Sequence, residues 1–231
     1  MQIIDPVTKK RLDRPDAATA KHLKLVDPVQ REVAKELNAS EHSPMDPPDA
    51  YGGAVIEEVE YADLHPLMQR YMDEHRRAEE VIARFEQAMA GYKQSRYKPD
   101  QEVNEALHVF FEFFDDKLLD HNRREERELF PVLHAKLLAQ GEHGTGTVPR
   151  TAIDLMEDDH VKFIQLGALT FNLLGLAARL PDARSALFTF DAAYETSREL
   201  TETIRLHIYR EDNILFPLAH KLLSKEELDR F

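Results

Sequence analysis

The feature that most restricts what this chain can fold into is a repeat: HNRREERELFPVLHAKLL, beginning at His121, returns as HIYREDNILFPLAHKLL, beginning at His207. Counted from the leading His, both copies carry Glu at +4, Leu-Phe-Pro at +8 to +10 and His at +13. Upstream, MDEHRRAEEVI around His75 parallels MEDDHVKFIQL around His160, and His75 precedes His121 by 46 residues while His160 precedes His207 by 47. That many shared offsets argue against chance. They predict a duplicated helix pair, with the two halves related by a pseudo-twofold axis.

Hydrophobic spacing supplies the elements. From Leu64 onward apolar residues recur at helical intervals, interrupted at 92–100 (YKQSRYKPD), at 140–149 (QGEHGTGTVP) and at Pro181. The pattern predicts helices over about 64–91, 101–139, 150–179 and 183–222, with a short last helix from Ser224, where Ser224 and Glu227 have capping-box spacing. The expected fold is all-α, an antiparallel up-down four-helix bundle spanning 61–231. Residues 1–60 read as an irregular N-terminal extension broken by Pro6, Pro15, Pro28, Pro44, Pro47 and Pro48, with one short helix at Asp27–Ala39.

Polar residues interrupt the apolar seams at particular places. The second helix lines its core face with Leu107, Phe111, Phe114, Leu118, His121, Glu125 and Val132; the fourth does so with Leu200, Ile204, His207, Glu211 and Leu218. The first sets His75 among Met68, Met72, Ile82, Phe85 and Met89, and the third sets His160 among Ile153, Met156, Gly167, Phe171 and Leu174. Four imidazoles and two carboxylates left unpaired in a core would cost several kcal/mol per group, comparable with the stability of a whole domain. A cation cluster satisfies them, since neutral imidazole and ionised carboxylate are ligands for mid-series divalent metals. A spacing of four puts the His and Glu of HNRRE on one helix face. Two ions fit this inventory better than one. Counting along the helices places the ligands of the first pair within roughly 6 Å of one level and those of the second within roughly 7.5 Å, which loops can absorb.

Composition narrows the function. With 43 acidic and 30 basic residues the net charge is −13, which repels phosphate backbones and anionic lipid heads, so neither nucleic acid nor a membrane surface is an expected partner. No apolar run approaches a membrane span, and MQIIDPVTKKRLDRPD lacks the apolar core of a secretory signal; the expected compartment is the cytoplasm. The absence of cysteine excludes thiolate sites and iron–sulfur clusters, so a metal must be held by His, Asp or Glu.

One His on the first helix, His-Glu-Leu-Phe-Pro on the second, one His on the third and the same run on the fourth resembles the hemerythrin cation-binding family, over about 64–222. The resemblance implies two iron ions, terminal ligands at His75, His121, His160 and His207, and bridging carboxylates at Glu125 and Glu211. It also implies reversible binding of O2, or sensing of oxygen, redox state or iron. The oxygen-carrying members have two histidines four apart on the third helix, whereas His160 is followed here by Ile164. Water or a carboxylate such as Glu74, Glu79 or Glu157 could take that position, and an open position favours reaction with peroxide or nitric oxide. An enzyme acting on those molecules is therefore an alternative reading, and a metal-independent helical interaction module is another. Of the remaining features, Tyr71 and Tyr209 fall within a turn of ligands, His134 and His220 lie about three turns beyond the site, and NRREERE apart from Glu125 reads as a solvated face.

Overall fold

The computed structural model describes residues 59–144 and 147–231, and every structural statement below concerns those residues; the expected helix at Asp27–Ala39 lies outside them. Helices and their connections make up the whole of the described chain, with no strand among them. None of these helices is long and apolar enough to cross a membrane.

Helix α1 (Pro66–Gln94) starts where Pro66 sets the first helical turn and the His65 ring accepts a hydrogen bond from the Leu67 N–H at 3.2 Å. Arg96 and Tyr97 then turn the chain in the left-handed region, each at φ 57. Tyr97 is held there by stacking on Phe190, centroids 4.9 Å apart, and by donating its hydroxyl to Asp191 at 2.5 Å. Asp100 caps α2 (Gln101–Phe113) by accepting from the Glu102 and Val103 N–H groups. A π-helical turn (Phe114–Leu118) joins α2 to α3 (Leu119–Arg127), and α4 (Leu129–Gln140) ends at left-handed Gly141. A capping box of Thr151 and Asp154 opens α5 (Ala152–Ala177), and Asp182 caps α6 (Ala183–Arg210). A second π turn (Glu211–Leu215) leads into α7 (Phe216–Leu222). The short α8 (Lys225–Leu228) carries the Ser224/Glu227 capping box read from the sequence.

The expected second and fourth helices are thus each interrupted, and proline is one cause. Pro217 has no N–H to offer Asn213, and the ladder slips so that the Phe216 N–H bonds Glu211 O. Pro131 holds the same place in the first copy, where the helix breaks at Glu128 (φ −104, ψ −79). The π turn at Phe114–Leu118 has no counterpart in α6; it lays Phe114 against Gly167, where a Cβ would stand 2.6 Å from the ring.

α1 packs on α2 and α6, α5 on α6, and α4 on α5 and α7, and an apolar core lies among α1, α2, α5 and α6. Ile82, Phe85, Phe110, Phe114, Leu118, Phe163, Leu200 and Ile204 meet there, with the Phe85 and Phe110 rings stacked at 3.8 Å. Each such side chain contributes about 1.5–3 kcal/mol by leaving water. Two adjustments follow for the expected seams. Phe171, expected in the core, is 58% exposed, because the buried face of α5 is centred on Met156, His160, Phe163, Gly167 and Thr170. Met72, Leu107, Phe111, Val132, Leu174 and Leu218 are half-buried at the margins.

Candidate metal centre

α1 runs 19 residues past His75, to Gln94, and α2 begins 20 residues before His121, so the two rings arrive at one level. His75 Nε2 and His121 Nε2 are 3.0 Å apart, and His160 Nε2 and His207 Nε2 are 3.1 Å apart. Two ring nitrogens this close have room for only one proton between them.

Glu125 and Glu211, both fully buried, lie between these pairs. Glu125 sets Oε1 3.3 Å from His121 Nε2 and Oε2 3.7 Å from His160 Nε2. Glu211 Oε2 is 3.2 Å from both His75 Nε2 and His207 Nε2. Two groups of donors result, His75–His121–Glu125–Glu211 and Glu125–His160–His207–Glu211, each with all its ligand atoms within 4.8 Å of one another and both sharing the same two carboxylates. The structure therefore brings all six sequence-predicted residues into one cluster.

A metal fits this donor set on chemical grounds. All four carboxylate oxygens are buried without a hydrogen-bond partner, a situation that costs several kcal/mol per ion unless a counter-charge is present. Neighbouring ligand atoms around one octahedral ion, each about 2.1 Å from it, stand about 3 Å apart, which matches the N···N and N···O separations here. Each group offers two imidazoles and two shared carboxylates, with no sulfur, as suits iron or manganese.

The groups that hold the rings come from distant parts of the chain and were not expected from the sequence. Each Nδ1 faces a carboxylate from another helix: His121 donates to Glu74 at 2.6 Å, His160 to Glu126 at 2.8 Å and His75 to Asp212 at 2.7 Å, while His207 and Asp159 are 3.5 Å apart, too far for a full hydrogen bond. Since a carboxylate can only accept, these contacts place the proton on Nδ1 and leave Nε2 free as a ligand. Going round the core, α1 holds the His of α3, α3 that of α5, α5 that of α6, and the turn after α6 that of α1. Arg124 donates to Glu74 at 2.6 Å and Arg210 to Asp159 at 3.0 Å, again one in each half. In NRREERE, Arg124 and Glu126 are thus parts of the site rather than a solvated face. The signal was available: Glu74 and Asp159 each precede a core His, and Glu126 and Asp212 each follow a core Glu.

The repeated Leu-Phe-Pro also gains a purpose. Phe130 stacks on His160 (5.7 Å, 16°) and Phe216 on His75 (5.8 Å, 7°), each Phe covering a ring from the other half. Tyr71 is fully buried edge-on to His121 and donates its hydroxyl to Glu128 at 3.1 Å, whereas Tyr209 is 44% exposed. Ile164 is half exposed. Glu74 is committed to His121 and Arg124, Glu79 pairs with Arg205 at 3.0 Å, and Glu157 is exposed, so none of the three joins the donor set. His134 bonds the Thr151 hydroxyl at 2.8 Å, and His220 is half-buried outside the cluster.

Charge follows geometry. Burial alone would lower His75, but the hydrogen bond to Asp212 and the nearby charge of Glu211 raise it to about 10. His207 is likewise depressed by burial and raised, on balance, to about 9 by Glu211 and Asp159. His160 is lowered, by burial and then by the charge of His207. Burial pushes Glu211 up, yet its two histidine neighbours hold it well below the ordinary carboxylate range. Tyr71 is raised by burial and by the charges of Glu125 and Glu128, and stays a neutral donor.

The chain as a whole has relatives. The chain is similar to proteins named iron–sulfur cluster repair protein YtfE. The relative from Cronobacter sakazakii is 27% identical over 81% of this chain and 75% of its own length. That from Escherichia coli O81 is 28% identical over 66% of this chain, and the chain spans 63% of that protein. The Escherichia fergusonii relative is 27% identical over the same shares. No family model and no solved structure matches the chain.

Proposed function

We propose that residues 61–231 form a hemerythrin-like antiparallel four-helix bundle that holds two iron ions, with residues 1–60 as an extension, and that the protein serves iron–sulfur cluster repair in the cytoplasm. The observation that carries this reading is the pair of fully buried carboxylates, Glu125 and Glu211, shared without other partners between two pairs of imidazole nitrogens. In it, His75 and His121 would hold one ion and His160 and His207 the other, with Glu125 and Glu211 available to both. Bound iron would supply one-electron chemistry and affinity for small ligands such as O2, nitric oxide or peroxide. The chain's own residues fix the ring nitrogens through Glu74, Glu126, Asp159 and Asp212, and shield them from water with Phe130 and Phe216. Four protein donors per ion leave about two positions of an octahedron for other ligands, an arrangement better matched to reaction or sensing than to O2 carriage alone. The names of the relatives support repair as the use of that chemistry.

The test is anaerobic reconstitution with ferrous iron, followed by elemental analysis and absorption spectra before and after air is admitted. About two irons per chain are expected in the wild type, with one or both lost in Glu125→Ala and Glu211→Ala and both kept in His134→Ala. Retention of two irons by both Glu variants would overturn the site assignment. For the repair role, the loaded protein should restore cluster absorbance to an oxidant-damaged iron–sulfur protein, and the apo-protein should not.

A further inference from the structure

Among the buried positions beside the donor set where the two halves differ, one carries an amide in one half and a hydrocarbon in the other. Asn122, directly after His121, is 4% exposed, and neither its amide nitrogen nor its oxygen has a hydrogen-bond partner. The equivalent residue after His207 is Ile208, part of the apolar core. A buried amide satisfied at neither end is rare in a folded protein and calls for an explanation. Asn122 shares its helix face with Glu126, four residues on, and Glu126 reaches His160, so this face of α3 is turned toward α5.

The surroundings indicate what the amide is for. On one side the rings are covered by Phe130 and Phe216. On the other, the residues one turn away from the four histidines are Ala78, Leu118, Phe163 and Ile204, all buried and apolar. Side chains on a helix lean toward its N-terminus, so Asn122 leans from the level of His121 toward that second layer. An exogenous ligand entering there would otherwise meet only apolar groups.

Resting on the di-iron reading above, we propose that Asn122 is a ligand-positioning residue: its amide hydrogen-bonds a small anionic or diatomic ligand held at the metal pair, on the side lined by Ala78, Leu118, Phe163 and Ile204. An amide both donates and accepts, so it can serve ligands of either polarity. With Ile208 at the equivalent place in the other half, the amide makes the two metal positions inequivalent.

The experiment titrates azide into iron-loaded wild type, Asn122→Ile and Asn122→Ala, following the azide-to-iron charge-transfer band, with iron content and the thermal midpoint of each apo-protein measured alongside. Both variants should keep two irons and bind azide about tenfold more weakly, a loss of about 1.4 kcal/mol. The apo midpoint of Asn122→Ile should rise, since an unsatisfied polar group is replaced by the residue its repeat partner uses. Azide affinity within twofold of wild type in both variants would overturn the proposal, as would a fall in both apo midpoints, which would give the amide a structural bond instead. A loaded wild type that does not take azide would also overturn it. A wild type that takes up no iron would overturn the di-iron reading itself.

Discussion

At the scale of single residues, the carboxylates behind the histidines decide how firmly each ring is set. Glu74 receives both the His121 N–H and the Arg124 guanidinium and is drawn down to about 2, although burial works against this. Asp159 stands 3.5 Å from His207 and is taken up by Arg210 at 3.0 Å. Replacing a carboxylate that orients a metal-bound His lowers metal affinity by about 10–100-fold. Glu74→Gln should therefore fall near the upper end of that range and Asp159→Asn near the lower, read by competition with a calibrated chelator. Equal losses would show that the longer contact orients its ring as well as the short one does.

At the scale of elements, the fit between the α2–α3 strand of helix and α5 depends on one glycine. A methyl at Gly167 would lie 2.6 Å from Phe114 Cζ and 2.9 Å from Cε1, and that ring is only 4% exposed in the core. Gly167→Ala should destabilise the protein by about 1–3 kcal/mol through overpacking, measured by urea unfolding. The double variant with Phe114→Leu should recover part of the loss, and a neutral single variant would mean the π turn can slide. Proline gives a second expectation. Pro217→Ala restores an N–H and allows the ladder to return from Glu211–Leu215 to α-helical register. That would turn Phe216 away from His75, so metal content should fall even where circular dichroism shows more helix.

For the whole molecule, charge and metal occupancy are linked. His75 at about 10 and His207 at about 9 lie above the value of about 6.5 expected in the unfolded chain. A raised histidine stabilises the folded apo-protein fully below about pH 6.5, and that contribution is lost as pH climbs through 9 and 10. The apo midpoint should consequently fall between about pH 7 and pH 10. Metal needs the deprotonated rings, so affinity should rise over the same interval, and ferrous iron added near neutral pH should release protons into a weakly buffered indicator solution. An apo midpoint independent of pH across this range would show that the imidazoles carry no charge in the metal-free fold. A chelator should also lower the midpoint of the loaded protein, by the linkage that any ligand of the native state obeys.

Much of this was legible in the sequence because the duplication states it twice. Helical spacing marked the four long rods, and six polar residues in otherwise apolar seams, His75, His121, Glu125, His160, His207 and Glu211, marked where they must meet. These are local regularities, and period and offset reveal them. The partners of those residues are not local. Glu74 and His121 are 47 positions apart and His75 and Asp212 are 137 apart, and only packing brings them together. The same holds for Phe130 on His160 and for Phe114 in the notch at Gly167. The π turn at Phe114–Leu118 carries no proline to announce it, and it shifts which side of the helix faces inward. Chemistry at the centre thus follows from residue type and spacing, while tautomer, tightness and the difference between the two halves follow from which helix stands against which.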